Sequence, residues 1–156
     1  METGESKPIY SLFDLQFLQH QKLSDCYLNV QIGQHHFQYC IFAKEQLVGI
    51  EHYNVSISKL SDLIPSLKWI NNDFKSINLS TTSFFSTLIP NSIFESSKKE
   101  KYLNLNFESA SKLETSSETI KSIDAQNVFG VSFAEKELIN TFFSKATIQH
   151  LSLIHI

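Results

Sequence analysis

Cysteine is scarce in this chain of 156 residues: Cys26 and Cys40 are the two present, and they show no Cys-x-x-Cys spacing. They read as free thiols, and they make a poor donor set for a structural metal centre. No apolar run approaches the roughly 20 residues that a membrane-crossing helix needs. The N-terminus, Met1-Glu2-Thr3-Gly4-Glu5-Ser6-Lys7, is polar and no signal-peptide core follows it, so the chain is expected in the cytoplasm. Asn54-Val55-Ser56 and Asn78-Leu79-Ser80 match the glycosylation pattern, which carries no meaning without secretion. An excess of basic charge is missing too: the formal net charge is -3 and the pI about 6.0. The densest basic cluster, Lys98-Lys99 with Lys101, is broken by Glu100 and reads as a solvated helix face. Nucleic acid and membrane are therefore not expected as partners. Internal repeats and low-complexity tracts are also absent.

What the chain does contain is enough apolar surface for a packed core. Hydrophobic residues make up 42% and aromatics 12%. Phe, with 13 copies against one Trp and one Met, should dominate that core. The length suits one domain, or half of a two-lobed protein.

The most structured stretch covers residues 27–55. Leu28, Val30 and Ile32 alternate with Asn29 and Gln31, the period-2 pattern of a half-buried strand. Residues 37–42 are apolar on both faces, as in a central strand. After the turn Ala43-Lys44-Glu45-Gln46, residues 47–55 form a third strand. Such short connections force antiparallel neighbours, so the three strands form a meander. The period then changes. Ile57, Leu60, Leu63, Ile64, Leu67 and Ile70 recur at three and four, which marks an amphipathic helix with Ser56 or Ser58 as its cap. Pro65 should kink or split that helix.

Further on, residues 75–80 and 83–89 read as strands. Ser97 and Glu100 are spaced as a capping box for a helix reaching Phe107. Residues 109–118, rich in Ser and Thr, read as a loop. Residues 120–123 read as a short strand and residues 127–133 as a stronger one. Leu138, Ile139, Phe142 and Phe143 stripe a helix starting near Ala134, and residues 146–150 begin a last strand. The fold class is α/β with α+β character: a β-meander, a helix, and strand-helix units around a small inserted α/β subdomain.

Three segments in this order carry a family likeness: the meander, then Ser86-Thr87-Leu88-Ile89-Pro90-Asn91-Ser92-Ile93-Phe94, then Lys101-Tyr102-Leu103-Asn104-Leu105-Asn106-Phe107. The strand Asn127-Val128-Phe129-Gly130-Val131 falls in sequence after them. Over residues 24–150 the chain resembles a bacterial family, domain-of-unknown-function family 3822. The resemblance implies an RNase H-like core of the actin-like ATPase kind, here the first of two lobes. Residues 1–23 then read as a leader, within which residues 12–18 suit either a short helix or an extended edge segment, and residues 24–150 as a partial actin-like domain. Residues 151–156, Leu-Ser-Leu-Ile-His-Ile, match the in-frame translation of a transposon end used in sequencing libraries. They read as an adapter-derived tail on a truncated reading frame.

In active actin-like ATPases the first strand ends in Asp-x-Gly, followed by a hydroxyl residue and often a Lys. The carboxylate positions magnesium-bound water. The glycine lets the backbone approach phosphate, and the hydroxyl and N–H groups donate to it. Alignment on Gly33 places Gln31 where the Asp belongs, Gln34 where the hydroxyl belongs and Gln38 where the Lys belongs. A neutral Gln cannot supply the charge that magnesium demands. The turn Ile32-Gly33-Gln34-His35-His36 thus reads as a plain hairpin turn, or a vestigial phosphate turn of Gly33, Gln31 and Gln34. No catalytic residue, cofactor or metal is expected.

His35 and His36 would point to opposite faces of a strand and so could not share a metal there. In a turn they could, with Cys26 or His52, though solvent-exposed turn histidines are the simpler reading. Cys40, mid-strand, reads as a small core residue. Trp69 reads as packing at a helix boundary. The expectation is a non-catalytic actin-like scaffold or interaction module with an unnamed protein partner. The alternatives are a weak nucleotide binder of the same fold and a metal-binding protein through His35 and His36.

Overall fold

The computed structural model describes residues 7–82, 85–107 and 113–150. Its first elements are strand β1 (Tyr10–Phe13) and helix α1 (Leu15–His20), which the Asp14 carboxylate caps by accepting the Phe17 N–H. Strands β2 (Tyr27–Ile32), β3 (Phe37–Ala43) and β4 (Gln46–Tyr53) form the expected antiparallel meander. Residues 10–20, which the sequence reading assigned to a leader, belong to the fold. β1 pairs antiparallel with β4, and Leu18 is buried in the core. The reason is local: Phe13 lies over Gly49 of β4, where an added Cβ would come within 2.5 Å of its ring, and its ring packs against Trp69 and Tyr39. Residues 1–6 and the adapter-like residues 151–156 lie outside the described residues.

Strand β5 (Ser76–Thr81) runs parallel to β2, with Ile32 opposite Thr81, and β9 (Thr147–His150) runs parallel to β5. The six strands lie in the order β1-β4-β3-β2-β5-β9. One face buries Leu28, Val30, Ile32, Phe37, Tyr39, Ile41 and Leu79. Covering it are residues 57–70 and helix α4 (Phe133–Phe142), through Leu60, Leu63, Ile64, Leu138 and Ile139.

Residues 57–70 do not form one helix. A 3-10 turn (Ile57–Lys59), a single α turn α2 (Leu60–Leu63) and another 3-10 turn (Ile64–Ser66) follow one another. Pro65 has no N–H to continue the ladder. The Asn71 amide donates to the carbonyls of Ile64 and Leu67, both at 2.9 Å. The predicted apolar stripe still reaches the core, because Leu60, Leu63, Ile64, Leu67 and Ile70 are all buried. The serine cap is replaced by a bond between the Ser56 and Ser58 hydroxyls.

Between β5 and α4 the chain builds a second, smaller sheet. Strands β6 (Ser86–Pro90), β7 (Leu113–Ile120) and β8 (Ala125–Ser132) lie antiparallel in the order β6-β8-β7. Helix α3 (Lys99–Asn104) brings Leu103 against Ile89 and Val128. β7 occupies most of the stretch read as a loop. Its serines and threonines alternate between exposed and half-buried, and it pairs with β8 along its whole length. Lys121–Ile123, expected to be strand, is a 3-10 turn closed by Asp124 at φ 50°. The Ser97–Glu100 capping box does not form: Lys98 is the N-cap of α3 and makes no side-chain cap.

Candidate functional site

The turn after β2 is closed by the Gly33 N–H, which donates to the His36 carbonyl at 2.9 Å. Two neighbours tie it to the fold. The Thr82 N–H donates to the Ile32 carbonyl, and the Val55 N–H to the His35 carbonyl, both at 3.1 Å. The turn therefore sits at the C-terminal ends of the parallel strands β2 and β5, where open α/β sheets hold their ligands. Gly33 is required here by close approach. A Cβ on it would lie 2.1 Å from Cε1 of His36 and 2.5 Å from Oγ1 of Thr82. The His36 ring thus lies across the glycine.

The three glutamines have other occupations. Gln31 Nε2 lies 3.1 Å from Nε2 of His36; the amide donates, so the imidazole accepts there and carries its proton on Nδ1. Gln38 Oε1 accepts from the Tyr10 hydroxyl at 3.0 Å and from His52 Nδ1 at 3.2 Å. The rings of His36 and His52 stack with centroids 6.3 Å apart, and Tyr10 stacks on His52. These residues form a polar ladder on the sheet face opposite the core. Burial, and then the neighbouring His52, push the His36 imidazole below its ordinary value of 6.5. Gln34 is exposed.

A cavity of about 310 Å³ opens on the other side of the turn. Gln34 and His35 form one wall, Ile57 a second, and Phe85, Leu113 and Glu135 those toward the second sheet and α4. The N-terminus of α4 carries a capping box that the sequence reading missed. Ser132 Oγ accepts the Glu135 N–H at 3.2 Å, and Glu135 Oε2 accepts the Ser132 N–H at 2.8 Å and its hydroxyl at 2.7 Å. The Ser-x-x-Glu spacing is legible in the sequence, but the apolar stripe sets the helix start near Ala134, one residue after the observed Phe133.

Chemically the turn is poor in what magnesium phosphate requires. It has no carboxylate, its glycine N–H is used within the turn, and a histidine ring covers the glycine. The N-terminus of α4, the nearby helix dipole end, already holds the Glu135 carboxylate. One feature offers the opposite chemistry, and sequence spacing could not have found it: the Thr82 hydroxyl stands beside Gly33 from the residue that follows β5. Its neighbour Thr81 has a fully buried Oγ1 without a hydrogen-bond partner.

The histidine pair is split. His35 is exposed on the cavity side, while His36 turns toward Gln31 and His52. Cys26, the other imagined ligand, is buried at the start of β2, the far end of that strand, with its thiol directed to the Lys22 carbonyl. Among the described residues no group of three His, Cys, Asp or Glu side chains could hold a metal ion. Both cysteines are free thiols. Cys40 is half-buried on the ladder face rather than in the core, with its sulfur accepting from Gln38 Nε2 at 3.8 Å. No described helix is long and apolar enough to cross a membrane.

A sequence profile of a family described as "Protein of unknown function (DUF3822)" matches residues 16–154. Among solved structures, the chain is similar to a Bacteroides thetaiotaomicron VPI-5482 protein described as having an actin-like ATPase fold and unknown function. The TM-score is 0.74 at 15% identity, and the match covers 84% of this chain and 54% of that one. The chain thus spans about half the length of that neighbour, and the likeness establishes an actin-like ATPase fold. No curated protein matches the chain.

Proposed function

The chain belongs to the DUF3822 family of proteins of unknown function, and from that premise we propose that it is a non-catalytic actin-like scaffold or protein-interaction module. One observation carries this reading. The His36 ring lies across Gly33, the glycine whose open backbone a phosphate would need. Gln31 stands where a magnesium-positioning carboxylate would be, and its amide is engaged with that same ring. The residues present do not fit Mg-ATP. A scaffold of this kind works in the cytoplasm through a protein partner, met along the β1 edge of the large sheet or on the inserted sheet, without nucleic acid or membrane.

Calorimetric titration of the chain with Mg-ATP tests this. No saturable heat is expected at millimolar nucleotide. Clear magnesium-dependent binding would overturn the scaffold reading and favour the second one, a weak nucleotide binder. A specific observation supports that alternative: Thr82 brings a hydroxyl beside Gly33. In that case Thr82→Val should abolish the heat.

A further inference from the structure

The cavity beside the turn has a chemistry of its own. Its walls carry Ile57, Phe85 and Leu113, and among the described residues neither Lys nor Arg lines it. The carboxylate among its described lining residues belongs to Glu135, which is only 7% exposed. Oε2 of that carboxylate is held by the Ser132 N–H and hydroxyl. The hydrogen bonds of this carboxylate among the described residues all go to Oε2, which leaves Oε1 for another donor. A carboxylate oxygen beside apolar walls makes a strong, charge-assisted acceptor for a cationic donor. The volume, about 310 Å³, is at the lower end of what small-molecule pockets use.

We propose that this cavity is a binding site for a small organic cation, with an ammonium, amidinium or guanidinium head on an apolar body. The head donates to Glu135 Oε1 while Ile57, Phe85 and Leu113 enclose the body. Anions are disfavoured, because the carboxylate repels them and no cationic side chain among the described lining residues offsets it. A polyphosphate is therefore the wrong class for this cavity, whatever the turn itself does.

Benzamidine is a suitable probe: a benzene ring carrying an amidinium. The intact chain, labelled with nitrogen-15, is titrated at pH 7.5 with benzamidine, with neutral benzyl alcohol and with anionic benzoate. Saturable shifts of the Gln34, His35 and Ser132–Glu135 amides are expected with benzamidine. Benzyl alcohol should bind at least tenfold more weakly and benzoate not at all. Glu135→Gln keeps a capping side chain at that helix position and removes the charge, so benzamidine affinity should fall about tenfold or more. Should that variant unfold, His35→Lys at the exposed turn gives the same reading, since a cation at the cavity mouth should weaken benzamidine while the spectrum stays native. Absence of saturable shifts, equal binding of the neutral or anionic probe, or undiminished affinity in the folded variant would each overturn the proposal. None of these results bears on Mg-ATP, so the two readings fail separately.

Discussion

At the level of single residues, the turn at Gly33 is crowded by side chains whose placement the sequence does not give. Alignment on Gly33 sets Gln31, Gln34 and Gln38 where the family resemblance expects an Asp, a hydroxyl and a Lys; the sequence goes no further. It could not show that His36 lies across the glycine, because that depends on where the turn folds its last residue. His36 has a testable consequence. Burial and His52 hold its folded pKa below 6.5, so the unfolded chain binds the proton more readily. Stability is then unaffected above the unfolded value and falls as pH drops through 6.5 toward the lower folded value. A protonated ring also loses its acceptor role toward Gln31. Urea midpoints should decline between pH 7.5 and 5.5, and His36→Asn should flatten that part of the profile. An unchanged slope in the variant would assign the dependence to other groups.

Among the elements, those set by strong periodicity were legible and those set by pairing were not. β2 alternates cleanly and was read within a residue of its observed span. β7 was read as a loop because its serines and threonines carry no apolar alternation; pairing with β8 makes it a strand. Residues 57–70 kept their buried stripe but lost helical continuity at Pro65, where local covalent geometry outweighs amphipathic pattern. The capping box of α4 ties its N-terminus to the end of β8. Ser132→Ala removes one partner of that box, and a loss of about 1 kcal/mol is expected in chemical denaturation. Ser132→Asp, which restores a cap but faces Glu135, should recover less than Ser132→Thr. Equal stability for all three would mean that the box contributes nothing.

In the whole molecule, two sheets of unequal strength share one chain. The large sheet is backed by a continuous core from Leu18 to Phe143, whereas the small sheet rests on Ile89, Leu103 and Val128 with a few half-buried neighbours. Local opening should follow that difference. In native-state hydrogen exchange, amides of β2, β3 and β5 should be the slowest. Those of β6 and β7 should exchange at least tenfold faster, through openings that spare the large sheet; one uniform opening free energy would refute this division. The sequence by itself determined the alternating meander, the apolar stripes and the neutral amides at positions 31, 34 and 38, because side-chain identity and period are local properties. Only the tertiary structure decided that β5 joins β2 in parallel, that residues 10–20 complete the fold, and that Thr82 and Glu135 stand beside the turn. Those contacts link residues tens of positions apart, and their energy lies in burial and pairing that no short window of sequence contains.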